Sequence, residues 1–108
     1  MKRGAIVTVA ASGYAGKPRP AVIIQSDAFD GTDSVTVCLL TTTVVDAPLI
    51  RLPVSPSPAN GLQQPSFLMV DKIVTVRRSQ INQRIGELAA QDIVRLNRAL
   101  LVFLGLAG

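Results

Sequence analysis

Five runs of β-forming residues punctuate this chain: Ala5 to Ala11, Ala21 to Gln25, Val35 to Thr43, Leu49 to Val54 and Ser66 to Val76. Turn-formers separate them, so the spacing predicts short strands joined by close connections. One helical pattern follows. Ile93, Leu96, Leu100 and Phe103 recur at three and four residues, Gln91, Arg95 and Arg98 take the other faces, and Gly105 stands where the helix would close. Short strands, Gly-rich turns and one terminal helix imply a mainly β fold, a strongly curved antiparallel sheet or small barrel. The 108 residues form one domain, 1–108, with room for a modest core. Between strands four and five, Pro53, Pro56, Pro58 and Pro65 with Asn60-Gly61 predict a long loop, either a functional flap or a plain surface excursion.

The second strand begins in an unusual way, at Lys17-Pro18-Arg19-Pro20. Each proline fixes its own φ and pushes the residue before it toward extended geometry, so Arg19 enters the strand with little backbone freedom left to lose. A cation held on such a frame suits an anionic ligand. The plainer alternative is a strand that starts after a Pro-rich loop with a solvated guanidinium.

Charge supports the first reading. Eleven Lys and Arg against seven acids give a formal charge of +4 and a pI near 10.0, a balance that attracts polyanions or an acidic protein. Eight of the eleven cations are arginines, whose guanidinium grips a phosphate through two parallel hydrogen bonds. With 48% hydrophobic residues the chain is too apolar to be disordered, and the excess over a small core suggests an apolar interface and a homo-oligomer.

Other chemistries are excluded by what is missing. There is no histidine, so the commonest general base, the commonest metal ligand and every Ser/His or Cys/His nucleophile pair are absent. Asp27, Asp30, Asp33, Asp46, Asp71, Glu87 and Asp92 are scattered rather than grouped as a Mg²⁺ or Zn²⁺ site requires. Catalysis by this chain is therefore expected to need no metal and no cofactor. Its one cysteine, Cys38, lies in an apolar run and reads as a small buried thiol. Met1-Lys2-Arg3 ahead of Ala5 to Ala11 superficially resembles a signal peptide, but the apolar stretch is short and rich in β-formers and reads better as a first strand. No run approaches the roughly 18 apolar residues of a membrane span, so a soluble, cytoplasmic protein is expected.

Read together, Arg-Pro-Ala-Val-Ile-Ile at 19–24, Leu-Leu-Thr at 39–41, Ser-Phe-Leu-Met-Val-Asp-Lys-Ile at 66–73 and Arg-Ile-Gly-Glu-Leu at 84–88 resemble the toxins of the MazF/PemK family. Each motif is weak alone; their order and spacing over nearly the whole chain are specific. The resemblance implies an SH3-like barrel that dimerises, cuts single-stranded messenger RNA at short preferred sequences, and is held inactive by a cognate acidic antitoxin. It further implies that Arg19 and Thr41 are the strongest active-site candidates and that Asp71 matches an acidic position some members use near the scissile phosphate. Lys17, Tyr14, Thr42, Lys72 and Arg77 are the accompanying candidates for RNA contact. Two departures stand out: Tyr14 occupies a position where many relatives carry glutamate, and Lys72 one where they carry glutamine.

RNA brings its own nucleophile, the 2′-hydroxyl, so a catalyst without histidine need only align that oxygen, stabilise the growing charge and help protons move. Arg19 would clamp the phosphate, Thr41 would hydrogen-bond a phosphate oxygen, and Asp71 or Tyr14 would assist deprotonation, giving a 2′,3′-cyclic phosphate and a 5′-hydroxyl. Each of these residues also has an ordinary structural role open to it: Thr41 as a β-former, Tyr14 as a cap, Asp71 as an acceptor for a neighbouring turn. Two other functions remain open on this fold. A gyrase poison resembling CcdB would depend on a tryptophan near its C-terminus, and this chain has none. A silent SH3-like module would bind a peptide through aromatic side chains, which are sparse here at 4%.

Overall fold

The computed structural model describes residues 1–10 and 17–107. Tyr14 and Ala11 lie outside them. Among the described residues the strands are β1 (Ala5–Val9), β2 (Arg19–Ile23), β3 (Ser34–Thr41), β4 (Arg51–Val54), β5 (Ser66–Arg77) and β6 (Ile81–Glu87), followed by the helix α1 (Ala90–Phe103). They form one antiparallel sheet in the order β4-β5-β3-β2-β1-β6. The mainly β architecture with one C-terminal helix is as expected from sequence. No ladder joins the outer strands β4 and β6 among the described residues, so the small barrel is an open one.

Alternation along the strands produces two cores. Ile6, Val22, Cys38, Leu40, Leu68 and Val70 face Leu96 and Leu100 of α1. Their neighbours Val7, Val9, Ala21, Ile23, Val35, Val37 and Leu39 form a second cluster on the opposite side of the sheet. A strand buried on both faces needs a nearly continuous apolar sequence, which Val35 to Leu40 supplies. Each Ile or Leu fully removed from water contributes about 2 kcal/mol.

Curvature comes from β5. It pairs with β4 through residues 66–69 and with β3 along its length, but the register jumps from Cys38 opposite Ile73 to Leu40 opposite Leu68. The extra residues of β5 are taken up in a bulge, which bends and twists the strand. Asp71 and Lys72 lie in that irregular stretch.

Several elements depart from expectation. The sixth strand, β6, was not predicted, because Ile81-Asn82-Gln83-Arg84-Ile85-Gly86-Glu87 has only two large apolar residues and occupies a sheet edge, where polar side chains meet water. Strand β4 begins at Arg51, and Leu49 lies in the turn before it, 76% exposed. Pro53, which the sequence offered both to the fourth strand and to the loop, belongs to β4, since an edge strand has one side that needs no N–H donor. Phe103 does not continue the buried helical stripe: it is exposed together with Leu101, Val102, Leu104 and Leu106. The helix closes at Gly105 as the spacing indicated, with the Leu106 and Gly105 amides donating to the carbonyls of Leu101 and Val102.

The Pro-rich loop is anchored rather than free to swing. Asn60 is buried, its Oδ1 accepting the amides of Ser57 and Leu62 and its Nδ2 donating to the Ser55 carbonyl, while Leu62 enters the core. The Glu87 amide donates to the Ala59 carbonyl, which fastens the loop to β6. No helix among the described residues is long and apolar enough to cross a membrane.

Candidate active site

Arg19 opens β2 and lies opposite Val9 of β1. On its other side the β2–β3 ladder pairs Ala21 with Leu39, and continuing that register by two residues sets Arg19 opposite Thr41. Both residues therefore fall on the same face at the same end of the sheet. Arg19 is exposed and Thr41 half-buried. The Thr41 Oγ1 accepts the Thr43 amide at 3.1 Å, which turns the chain out of β3 and leaves Thr42 exposed just past the strand. Lys17 is exposed two residues ahead of Arg19. These four residues, Lys17, Arg19, Thr41 and Thr42, are gathered by the topology from two segments distant in sequence.

Asp71 has a partner that the sequence did not suggest. Arg51, at the start of β4, lies opposite Met69, so Asp71 two residues on is its diagonal neighbour, and the Arg51 Nη1 donates to Asp71 Oδ1 in a largely buried ion pair. Nη1 also donates to the Ile50 carbonyl at 3.0 Å. The signal for Arg51 was present: it is the lone charge in Leu49-Ile50-Arg51-Leu52, where an apolar residue would satisfy a strand pattern. The pair also touches Cys38 electrostatically. Burial pushes the Cys38 thiol up to about 12, Asp71 adding to the rise while the Arg51 charge opposes it. Cys38 is thus an inert core thiol.

Lys72 is exposed beside Asp71. Arg77 is also exposed but stands opposite Ser34, at the far end of β3 from Thr41, roughly 20 Å of strand away. Tyr14 falls outside the described residues. No group of three or more His, Cys, Asp and Glu side chains that could hold a metal ion occurs among the described residues. A polar hollow of ≈ 360 Å³ lies elsewhere, between the Pro-rich loop and the start of α1. Its arginine, Arg95, is already engaged by Asp92 at 2.7 Å and by the Pro53 carbonyl at 3.1 Å.

A curled open sheet backed by one helix, with Arg19 and Thr41 at the same end of neighbouring strands, defines a small β protein. Comparison with known proteins gives that class its family. The family model for the PemK-like, MazF-like toxin of type II toxin-antitoxin systems matches residues 2–104. A curated relative, "Probable endoribonuclease MazF" of Mycolicibacterium smegmatis, is 58% identical over the full length of both chains. Among solved structures, the Mycobacterium tuberculosis toxin MazF-mt6 is 28% identical with a TM-score of 0.77, over 90% of this chain and 92% of that one. An endoribonuclease in complex with its cognate antitoxin, from a mycobacterial species, is 26% identical with a TM-score of 0.80, over 98% and 96%. The chain belongs to the PemK-like, MazF-like toxin family.

Proposed function

We infer that this chain, a MazF-type endoribonuclease of a toxin-antitoxin system, cuts single-stranded messenger RNA at short preferred sequences through attack by the RNA's own 2′-hydroxyl. What supports the site is the β2–β3 ladder through Ala21 and Leu39: extended by two residues, it puts Arg19 and Thr41 at the same end and on the same face of the sheet, with Arg19 exposed. Arg19 binds the scissile phosphate and stabilises the charge that grows on its oxygens; a guanidinium pKa above roughly 12 makes it an electrostatic partner rather than a proton donor. Thr41 donates its hydroxyl proton to a phosphate oxygen, and Lys17, Thr42 and Lys72 line the approach. Arg77, at the other end of β3, serves RNA contact only along an extended track.

In the chemical step the 2′-hydroxyl proton passes to the Asp71 carboxylate while the 2′-oxygen bonds to phosphorus. The bond from phosphorus to the 5′-oxygen breaks with its electron pair on that oxygen, which takes a proton from solvent or a neighbouring acid. The products are a 2′,3′-cyclic phosphate and a free 5′-hydroxyl. No metal ion is needed, because the nucleophile is intramolecular and the charge is met by arginine.

The partners follow from the same surface. An acidic antitoxin segment is the complement to a chain of charge +4, and its binding across Arg19 would block RNA. Two copies of the chain pair through the exposed Leu101, Val102, Phe103, Leu104 and Leu106 at the end of α1. The test of the mechanism is an oligoribonucleotide carrying 2′-deoxyribose only at the scissile position: it should bind as the all-ribose strand does and remain uncut, with chelator making no difference. Cutting of the deoxy strand would overturn this mechanism.

A further inference from the structure

We propose that Arg51 is a positioning residue for the nuclease reaction, holding the Asp71 carboxylate in the one orientation from which it can take the 2′-hydroxyl proton. The inference rests on the reading of Asp71 as the proton acceptor.

Its basis is a shared carbonyl. The Ile50 carbonyl accepts the Val70 amide at 3.0 Å and the Arg51 Nη1 at 3.0 Å. One backbone oxygen thus fixes both the strand that carries Asp71, at the residue just before it, and the guanidinium that grips its Oδ1. This matters because Asp71 sits in the bulged stretch of β5, where the β3 ladder does not set the backbone register. A carboxylate on an irregular strand would otherwise sample several rotamers. Held by Oδ1, it presents Oδ2 to the substrate in a fixed plane.

A purely architectural role explains Arg51 poorly. Its side chain is only 12% exposed, and its Nε is buried with no hydrogen-bond partner among the described residues. Burying a guanidinium with an unmet N–H is destabilising, whereas an apolar side chain opposite Met69 and beside Leu52 would pack there without that loss.

The experiment compares Arg51→Met, Asp71→Asn and the double variant in steady-state cleavage of one oligoribonucleotide over a range of concentrations, with melting temperatures in parallel. Arg51→Met should lower kcat about 100-fold, the effect of a misplaced catalytic group, and leave KM within about twofold. Added to Asp71→Asn it should lower the rate by less than about threefold more, since the two act as one unit. Arg51→Lys keeps the charge but loses the planar fork. It should recover part of kcat, and it carries the test if Arg51→Met does not fold. Losses that multiply in the double variant, a change confined to KM, or wild-type cleavage by Arg51→Met and Arg51→Lys would each overturn the proposal. Wild-type cleavage by Asp71→Asn would instead remove Asp71 as the proton acceptor, a distinct result that needs no Arg51 variant to be read.

Discussion

Gly86 of β6 and Asn60 of the Pro-rich loop meet backbone to backbone: a methyl group on Gly86 would lie 2.3 Å from the Asn60 carbonyl carbon. Gly61 makes the reciprocal approach, where an added carbon would come within 2.0 Å of the Ile85 carbonyl oxygen. The contact welds the loop to an edge strand whose one strand partner among the described residues is β1. It also seats Leu62 in the core that α1 covers.

Gly86→Ala should therefore be strongly destabilising, on the order of 3 kcal/mol, because rigid backbone rather than a side chain must move. For a chain of this size that is a fall of roughly 10 °C or more in melting temperature. Calorimetry of the variant against the wild type checks it; a melt within a degree or two of wild type would mean that the loop can lift off β6 freely.

Arg19→Ala isolates the electrostatic contribution at the site. In Arg19→Ala kcat should fall about 100-fold, the usual effect of losing one transition-state donor, and by far more than any change in folding accounts for. Single-turnover cleavage with a circular dichroism melt reads both. Undiminished cleavage would take Arg19 out of the site.

Thr41 has two functions to separate, one local and one chemical. Its Oγ1 holds the Thr43 amide, and the proposed mechanism gives the same hydroxyl a phosphate oxygen. Thr41→Ser keeps both and should cleave within about threefold of wild type. Thr41→Val keeps the β-branched shape but loses the hydroxyl, and should cleave about tenfold more slowly with little change in melting. Equal rates for the two variants would assign Thr41 to strand structure alone.

What the sequence disclosed and what it hid follow from how local each signal is. β1, β2, β3 and β5 show themselves as apolar, β-branched runs because both sheet faces are buried. Strand β6 escaped because an edge needs few apolar residues, and its pairing with β1 is a contact between the two ends of the chain. Arg19 and Thr41 were identifiable singly from the proline frame and the family pattern. Their placement at one end of the sheet follows only from extending the β2–β3 register, which no local pattern encodes. Arg51 was legible only as a charge out of place, since its meaning comes from a bulge on β5 that brings Asp71 diagonally across from it.

The end of α1 predicts a change of oligomeric state. Leu101, Val102, Phe103, Leu104 and Leu106 are each between 45% and 70% exposed, more apolar surface than a helix end facing water would keep. Leu101→Glu should convert a dimer to a monomer, read by light scattering at micromolar concentration, without loss of secondary structure. A wild-type chain that is monomeric at that concentration, or a variant that stays dimeric, would place the interface elsewhere.

Cys38 predicts a pH dependence of stability with a defined sign. Burial holds its thiol protonated in the folded chain up to about 12, against an ordinary value of 9.0, so between these values the unfolded chain loses a proton that the folded chain keeps. The protonated thiol's contribution is complete below about pH 9 and is lost as pH rises toward about 12, falling by on the order of 1 kcal/mol per pH unit. The difference between wild type and Cys38→Ala isolates the thiol. Urea midpoints measured from pH 7 to pH 10.5 should fall more steeply for the wild type, on top of a constant offset from the small cavity that alanine leaves. The same burial should make the native thiol alkylate far more slowly than the unfolded one at pH 8. Parallel pH slopes, or rapid alkylation of the folded chain, would show that water reaches the core between β3 and α1.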